Sequence, residues 1–537
     1  MSRPQRSVIY SPTILSLVLI GGILIGSQLN FRVAKDPESV IGLRVDREFD
    51  KINDVINYID HEYVDNVSRK QLVDETVQHL LQQLDPHSYY ISAEELQAAN
   101  ESLEGQFEGI GVQFNIQEDT VVVISPLSGG PSEKVGIQSG DRIVKANGEL
   151  IAGVGITNKK VMALLKGKKG SEVTVGVHRR GSANLIEFSI VRDNIPIVSI
   201  DAAYMLAPTI GYIKVNKFSK ETAREFREAG EKLRTQGLEK LVVDLRGNGG
   251  GYLEAATQMA DELLEEGRLI LYTEGRARPR EVFTATAEGN FEASELVVLI
   301  DEGSASASEI VAGAIQDNDR GMLLGRRSFG KGLVQEQSSW PDGSATRLTI
   351  ARYYTPSGRC IQKPYDKGVE QYYSDYYDRV AKEQYANLDS LDFPDSLKHE
   401  TLGGRTVYGG GGILPDILIP PDTTGRSFYF TELLFEGIIS QFAFDYVDQE
   451  RSDLGQYRTA EAFTSGFVMT DELFEEFLNY AERNGIRRNL DDLKRSKYLI
   501  QNRLTALIAR NLFSTEGYYQ IINQQDPTIL RAIEELK

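Results

Sequence analysis

Leu296-Val297-Val298-Leu299-Ile300, followed by Gly303-Ser304-Ala305-Ser306-Ala307-Ser308-Glu309-Ile310, passes within a few residues from an apolar run into an amphipathic one. The first run reads as a strand and the second as the opening of a helix. A serine at such a junction sits beside backbone N–H groups that have no partner inside the helix, and these can hold a developing oxyanion. Downstream, Phe329-Gly330-Lys331-Gly332-Leu333-Val334-Gln335 sets one lysine between glycines in an otherwise apolar segment. A lysine placed there can act as the serine's base, which suggests a serine–lysine hydrolase.

The same rhythm extends on both sides. Gly211-Tyr212-Ile213-Lys214-Val215 reads as a strand, Glu221 to Thr235 as a helix with Phe226, Ala229 and Leu233 inward, and Leu241-Val242-Val243-Asp244-Leu245 as a near-continuous apolar strand. Arg246-Gly247-Asn248-Gly249-Gly250-Gly251 then opens a helix predicted to run through Leu264. Alternation of this kind implies a largely parallel sheet covered by helices. The polar, Tyr- and Asp-rich stretch 366–402 reads as an insertion, and the chain returns to the sheet between Gly403 and Pro421.

Upstream, from Gly109, the texture is short β runs and turns, with Val121-Val122-Val123-Ile124 and Val173-Thr174-Val175 as strands and a short helix around Val161 to Leu165. Gly109-Ile110-Gly111-Val112 and Val135-Gly136-Ile137-Gln138-Ser139-Gly140-Asp141 together resemble the carboxylate-binding loop and the Gly-Asp turn of a PDZ domain. Consecutive N–H groups of such a loop can nest a chain-terminal carboxylate while a strand edge adds the peptide. Residues 42–104 read as helical, interrupted at Asp85-Pro86-His87-Ser88, where His87 is taken as structural. Beyond Phe428 the pattern is mostly amphipathic helix, including Glu472 to Ala481 and Lys494 to Asn511. The expected organisation is a multidomain α/β chain: a signal anchor and linker (1–41), an N-terminal helical region (42–107), a PDZ domain (108–192), an α/β core (193–427) and a helical C-terminal extension (428–537).

Composition narrows the chemistry. With 78 acidic against 59 basic side chains and a net charge of −19, the chain has no basic excess with which to bind nucleic acid. A single cysteine, Cys360, excludes an intramolecular disulfide or a multi-cysteine metal centre, and the five histidines show no metal-binding spacing. Neither a metal nor an organic cofactor is expected. The apolar stretch from Val8 to Leu29 is long enough to cross a bilayer and lacks an obvious small-x-small cleavage site. It predicts a single-pass signal anchor in the inner (cytoplasmic) membrane, with the body of the protein on the periplasmic side.

Three serines compete as nucleophile. Ser306 lies three residues before Glu309, a spacing that also makes a capping box, so it reads equally as a helix cap. Lys331 needs its pKa brought down by about 3 units, roughly 4 kcal/mol of differential desolvation, to be a base at neutral pH. Phe329, Leu333 and Val334 can supply that environment, and in an extended segment Gln335 shares a face with Lys331 and Leu333. A surface lysine in a glycine-rich loop is the competing reading. The run Gly247 to Gly251 lacks the P-loop lysine, and a backbone N–H near Gly250, meeting that of Ala307, is read as an oxyanion donor. Asp244 and Arg246 are read as structural.

Taken together, the Gly303–Ile310 stretch, the Asp244–Gly251 loop, Ser328-Phe329-Gly330-Lys331-Gly332 and the preceding PDZ-like region resemble the carboxyl-terminal processing proteases over roughly residues 42–422. The resemblance implies a crotonase-like α/β protease core and a serine endopeptidase with a Ser306–Lys331 dyad aided by Gln335. It also implies a PDZ domain that recognises protein or peptide substrates by a free apolar C-terminus. It is the family's spacing between nucleophile and lysine that selects Ser306 over Ser304 and Ser308. The alternatives are a catalytically inactive, membrane-tethered PDZ adaptor and a Ser-His-Asp esterase. The tail is read either as a dimerisation or partner-binding element, giving a homodimer, or as packing against the core.

Overall fold

The computed structural model describes residues 48–127, 129–381 and 394–537. They form two compact units, one ending at Gln83 and the other running from Leu84 to Lys537. The first contributes two helices, Glu48–Glu62 and Arg69–Gln82, the second capped by Ser68 Oγ, which accepts from Gln71 N–H.

The centre of the second unit is a six-stranded sheet in the order Ile200–Ala207, Ile210–Val215, Lys240–Asp244, Glu295–Ile300, Met322–Gly325, Ile417–Leu418. Its first pair is antiparallel and the rest are parallel. Strands covered on both faces need apolar side chains in both directions, which is why Val297 to Ile300 is an unbroken buried run. One face packs on Phe226 and Leu233 of helix Thr222–Arg234, on Ala256 and Met259 of helix Leu253–Asp261, and on Ile310, Val311 and Ala314 of helix Ala307–Asp317. The other face is covered by the C-terminal helix Pro527–Glu535, whose Ile529 and Ala532 meet Tyr212, Val242, Val297 and Leu299. The tail therefore packs against the core.

A second, antiparallel sheet carries Leu333–Ser339 and Ala345–Tyr354, with Tyr89–Ile91 paired to the latter. That short strand lies in a stretch whose sequence reads as helical. It follows the Asp85-Pro86 turn and has only three residues, too few for a period to show. The predicted helix after Arg246 begins instead at Leu253. Gly250 and Gly251 take φ of +101° and +154°, which no right-handed helix accommodates, so the glycine run is a loop.

Residues 112–191 build a six-stranded antiparallel sheet around a core of Ile110, Val121, Val123, Ile143, Val161 and Leu165. Strand Val112–Gln117 lies at its edge, pairing only with Thr120–Pro126 among the described residues. The C-terminal helices 428–522 enclose their own core, with Phe442, Phe463, Phe477, Ile500 and Leu504 fully or nearly fully buried. They reach the 112–191 region through Asp448, whose carboxylate lies 3.7 Å from Arg142 and 3.6 Å from Arg180.

The membrane expectation is corrected. Among the described residues no helix is long and apolar enough to cross a membrane, and the stretch from Val8 to Leu29 that motivated a single-pass anchor lies outside them.

Candidate active site

The parallel strands deliver two loops to one end of the central sheet, and side chains lace them together. The Asp301 carboxylate accepts from Gly247 N–H (2.8 Å) and Gly303 N–H (3.0 Å). Ser304 Oγ donates to Leu245 O at 2.9 Å and Ser308 Oγ to Asn248 O at 2.8 Å; both serines are fully buried. Ser306, between them, is only partly buried and lines a cleft of about 1280 Å³ together with Lys331 and Gln335. Burial and hydrogen bonding thus set Ser304 and Ser308 apart from Ser306.

Ser306 is the N-cap of helix Ala307–Asp317 and has φ +55°, ψ −112°. A side chain held at positive φ is strained, and a serine on a strained strand-to-helix turn presents its hydroxyl outward. Gly250 makes that conformation fit. A Cβ added there would lie 2.8 Å from Ser306 Cβ and from Ala305 O, and 3.0 Å from Ala307 N. Ala307 is the first residue of its helix, so its N–H has no acceptor within the helix. The Gly250 N–H donates to Asn248 Oδ1 at 2.9 Å.

Glu309 joins the serine to the lysine. Its fully buried carboxylate accepts from Ser306 N–H (2.9 Å), Gly330 N–H (2.7 Å), Lys331 N–H (2.8 Å) and Ser328 Oγ (2.5 Å). Burial pushes its pKa up, and the four donors pull back against that. Tyr353 adds a second link, its buried hydroxyl lying 3.2 Å from Ser306 O and 2.9 Å from Lys331 O. The sequence offered Glu309 only as a capping residue and gave no sign of Tyr353.

Burial also lowers the Lys331 pKa; Asp85 and Glu309 oppose the shift and Arg347 adds to it. Lys331 Nζ donates to Gln335 Oε1 at 2.8 Å. The pairing register of Leu333–Ser339 slips between Val334 and Gln335, opposite Ala351 and Thr349, so simple alternation does not place Gln335. The 366–402 stretch proves relevant here. Arg379 of its helix Val369–Ala381 donates to Ser328 O (2.8 Å) and Phe329 O (3.2 Å), gripping the chain just ahead of the lysine.

Among the described residues His87 is the one histidine lining the cleft, and its Nε2 lies 2.7 Å from Tyr372 Oη. Burial, with Lys331 close by, lowers its pKa from 6.5 to about 4. Between those values the unfolded chain binds the proton and the folded one does not. The contribution to stability is therefore complete above pH 6.5 and is lost as pH falls toward 4, by at most about 3 kcal/mol. Replacing His87 with glutamine is expected to flatten that part of the stability–pH curve in urea unfolding; an unchanged slope would refute it.

In the loop that leads into the 112–191 region, Gly111 takes φ +72°, Ile110 O accepts from Ser132 N–H (3.0 Å) and Oγ (2.7 Å), and Gly111 O accepts from Leu127 N–H (3.0 Å). The loop's carbonyls are thus spent inside the domain. Gly109 and Val112 flank this loop, and Gly109 lies against the end of helix Asn158–Leu165; a Cβ there would be 3.6 Å from Leu165 O. Arg192 caps that helix end, donating to Leu164 O and Leu165 O.

Residues 209–373 match the model of peptidase family S41, residues 109–190 that of the PDZ domain, and residues 429–514 that of a family of unknown function. Among curated proteins, the carboxy-terminal processing protease CtpA of Bacillus subtilis is 34% identical over 359 residues, covering 67% of this chain and 74% of that protein. CtpB of the same organism is 34% identical over 328 residues, covering 60% and 67%. Among solved structures, a photosystem II D1 C-terminal processing protease is 31% identical, covers 59% of this chain and 86% of that one, and has a TM-score of 0.34.

Proposed function

The chain belongs to the carboxy-terminal processing proteases of peptidase family S41, serine-type enzymes with a PDZ domain, and from that premise we propose that Ser306 is its nucleophile and Lys331 its general base. The observation that carries this reading is a lysine drawn down in pKa by burial, hydrogen-bonded to Gln335, in the one cleft that also holds the only non-buried serine of the 303–309 turn.

Neutral Lys331 takes the Ser306 proton as the hydroxyl attacks the scissile carbonyl. Gln335 Oε1 holds one Nζ hydrogen, which leaves the nitrogen lone pair to face the hydroxyl. The Ala307 N–H receives the oxyanion, and Gly250 contributes by sharing with it the N–H now given to Asn248. Protonated Lys331 then delivers its proton to the leaving amine, and water attacks the acyl-enzyme by the same route in reverse. The core that carries this chemistry is read as crotonase-like, on the strength of a largely parallel sheet with helices Thr222–Arg234, Leu253–Asp261 and Ala307–Asp317 layered on one face.

Substrate selection is assigned to the Gly109-Ile110-Gly111-Val112 loop. Its N–H groups nest the terminal carboxylate of a protein with an apolar C-terminus, and the open edge of strand Val112–Gln117 adds the preceding residues as a further strand. Two versions of one unstructured polypeptide, with a free and with an amidated apolar C-terminus, test this. Amidation removes the charge and one acceptor, and kcat/KM is expected to drop about tenfold or more. Equal cleavage of both would reject the loop's role, and no cleavage of either would leave a PDZ adaptor as the better reading.

A further inference from the structure

The turn Asp85-Pro86-His87-Ser88 is used by nothing in the mechanism above, yet it touches the cleft. Its point of contact is the main chain: Gln335 Nε2 donates to His87 O while Gln335 Oε1 accepts from Lys331 Nζ. A glutamine amide has one donor end and one acceptor end, so a carbonyl on one side and an amine on the other can be satisfied in only one of its two orientations. The His87 carbonyl therefore decides which end of Gln335 faces the lysine. Without it the amide is free to rotate and point its NH₂ at Lys331, which gives the base nothing to donate to.

The turn is built to keep that carbonyl in place. Asp85 is buried, and its Oδ1 accepts from His87 N–H and Ser88 N–H, each at 2.8 Å, while Oδ2 accepts from Ser88 Oγ at 2.6 Å. Ser88 Oγ in turn accepts from Thr349 N–H at 3.1 Å, and Thr349 is the residue paired with Gln335 across the strands. Strand Tyr89–Ile91 continues the attachment by pairing with Ala345 to Arg347. On the other side the His87 ring packs edge-on against Phe329 and Tyr372.

We propose that Asp85 is a positioning residue for catalysis: it folds the turn that presents the His87 carbonyl to Gln335, and so fixes the amide that orients Lys331. This rests on the Ser306–Lys331–Gln335 reading. If Asp85 acts through Gln335, removing either breaks the same link, and removing both costs no more than removing one.

The test is a double-mutant cycle in the full chain, with the unstructured polypeptide as substrate. Asp85→Ala is expected to lower kcat about 10- to 100-fold with KM changed less than about twofold. In a Gln335→Ala background the same change is expected to cost less than about threefold. Losses that multiply would overturn the proposal. Asp85→Asn covers the case in which the alanine variant does not fold, because Oδ1 still accepts both N–H groups. Its plateau kcat is expected within about threefold of the parent. The groups facing Lys331 are Asp85, His87, Glu309 and Arg347, so removing the Asp85 charge leaves the amine easier to deprotonate and moves the acid limb of the kcat profile to lower pH. A loss in Asp85→Asn as large as in Asp85→Ala would also overturn it. Full activity of Gln335→Ala at every pH would instead refute the underlying assignment of Gln335, and the inference with it.

Discussion

Ser306→Ala is expected to lower turnover by a factor of about 10⁴ or more while leaving the protein folded. In the proposed mechanism this hydroxyl forms the acyl bond, and neither neighbouring serine is placed to replace it: Ser304 and Ser308 are fully buried and committed to the carbonyls of Leu245 and Asn248. Stability should stay within about 0.5 kcal/mol, because the altered side chain is partly exposed and the helix keeps the Glu309 carboxylate on the residue-306 N–H. Lys331→Met should be comparably inactive, and because it removes a desolvated amine it should not weaken the fold. Acting as one unit, the two changes combined should cost little more than either alone. Cleavage rates and thermal melts of the purified variants decide this; retention of more than about 1% activity in Ser306→Ala would remove it from the mechanism.

Glu309→Leu should damage both stability and activity. The carboxylate takes three backbone N–H groups and one hydroxyl in a fully buried position, and leucine takes none of them. A buried donor left unsatisfied costs about 1–3 kcal/mol, so a loss of about 3–5 kcal/mol is expected after relaxation. Glu309→Gln is the informative partner. Oε1 serves Ser328 and Gly330 while Oε2 serves Ser306 and Lys331, and an amide can retain only one of those pairs. It should fall between leucine and the parent in melting temperature, with turnover reduced at least about tenfold because, whichever pair the amide keeps, its NH₂ faces the donors of the other pair and displaces the Ser306 turn or the 328–331 loop. Parent-like behaviour of Glu309→Gln would show that the Ser306 and Lys331 loops are held some other way.

How much of this site the sequence disclosed depended on distance along the chain. The passage from Val297 into Ala307 is local, and its change of period showed a strand, a turn and a helix that the structure contains. The helical start after Arg246 was misplaced because the positive φ of Gly250 and Gly251 answers to neighbours outside the segment, among them Ser306 Cβ and Phe218 O. The choice of Ser306 rested on family spacing, since what distinguishes it physically is burial of its neighbours against Leu245 and Asn248. Glu309 looked like a cap because only the Ser306 end of its contacts is close in sequence; its bonds to Gly330 and Lys331 span more than twenty residues. Arg379 and Tyr372 sat in a stretch whose composition suggested only an insertion, and composition carries no information about which loop a helix will touch.

The helices after Ser427 are fastened at their two ends by different kinds of force. At the catalytic end, Ile529 and Ala532 are fully buried against the central sheet. Beside them Arg246 pairs with Asp526 at 2.7 Å. At the other end, Asp448 meets Arg142 and Arg180 across gaps of 3.6–3.7 Å, with the Arg180 side chain largely in water. Mobile ions weaken a contact of the second sort far more than one of the first. Raising the ionic strength is therefore expected to loosen the joint between these helices and the 112–191 region selectively, while the packing of Ile529 and Ala532 beneath the central sheet stays put.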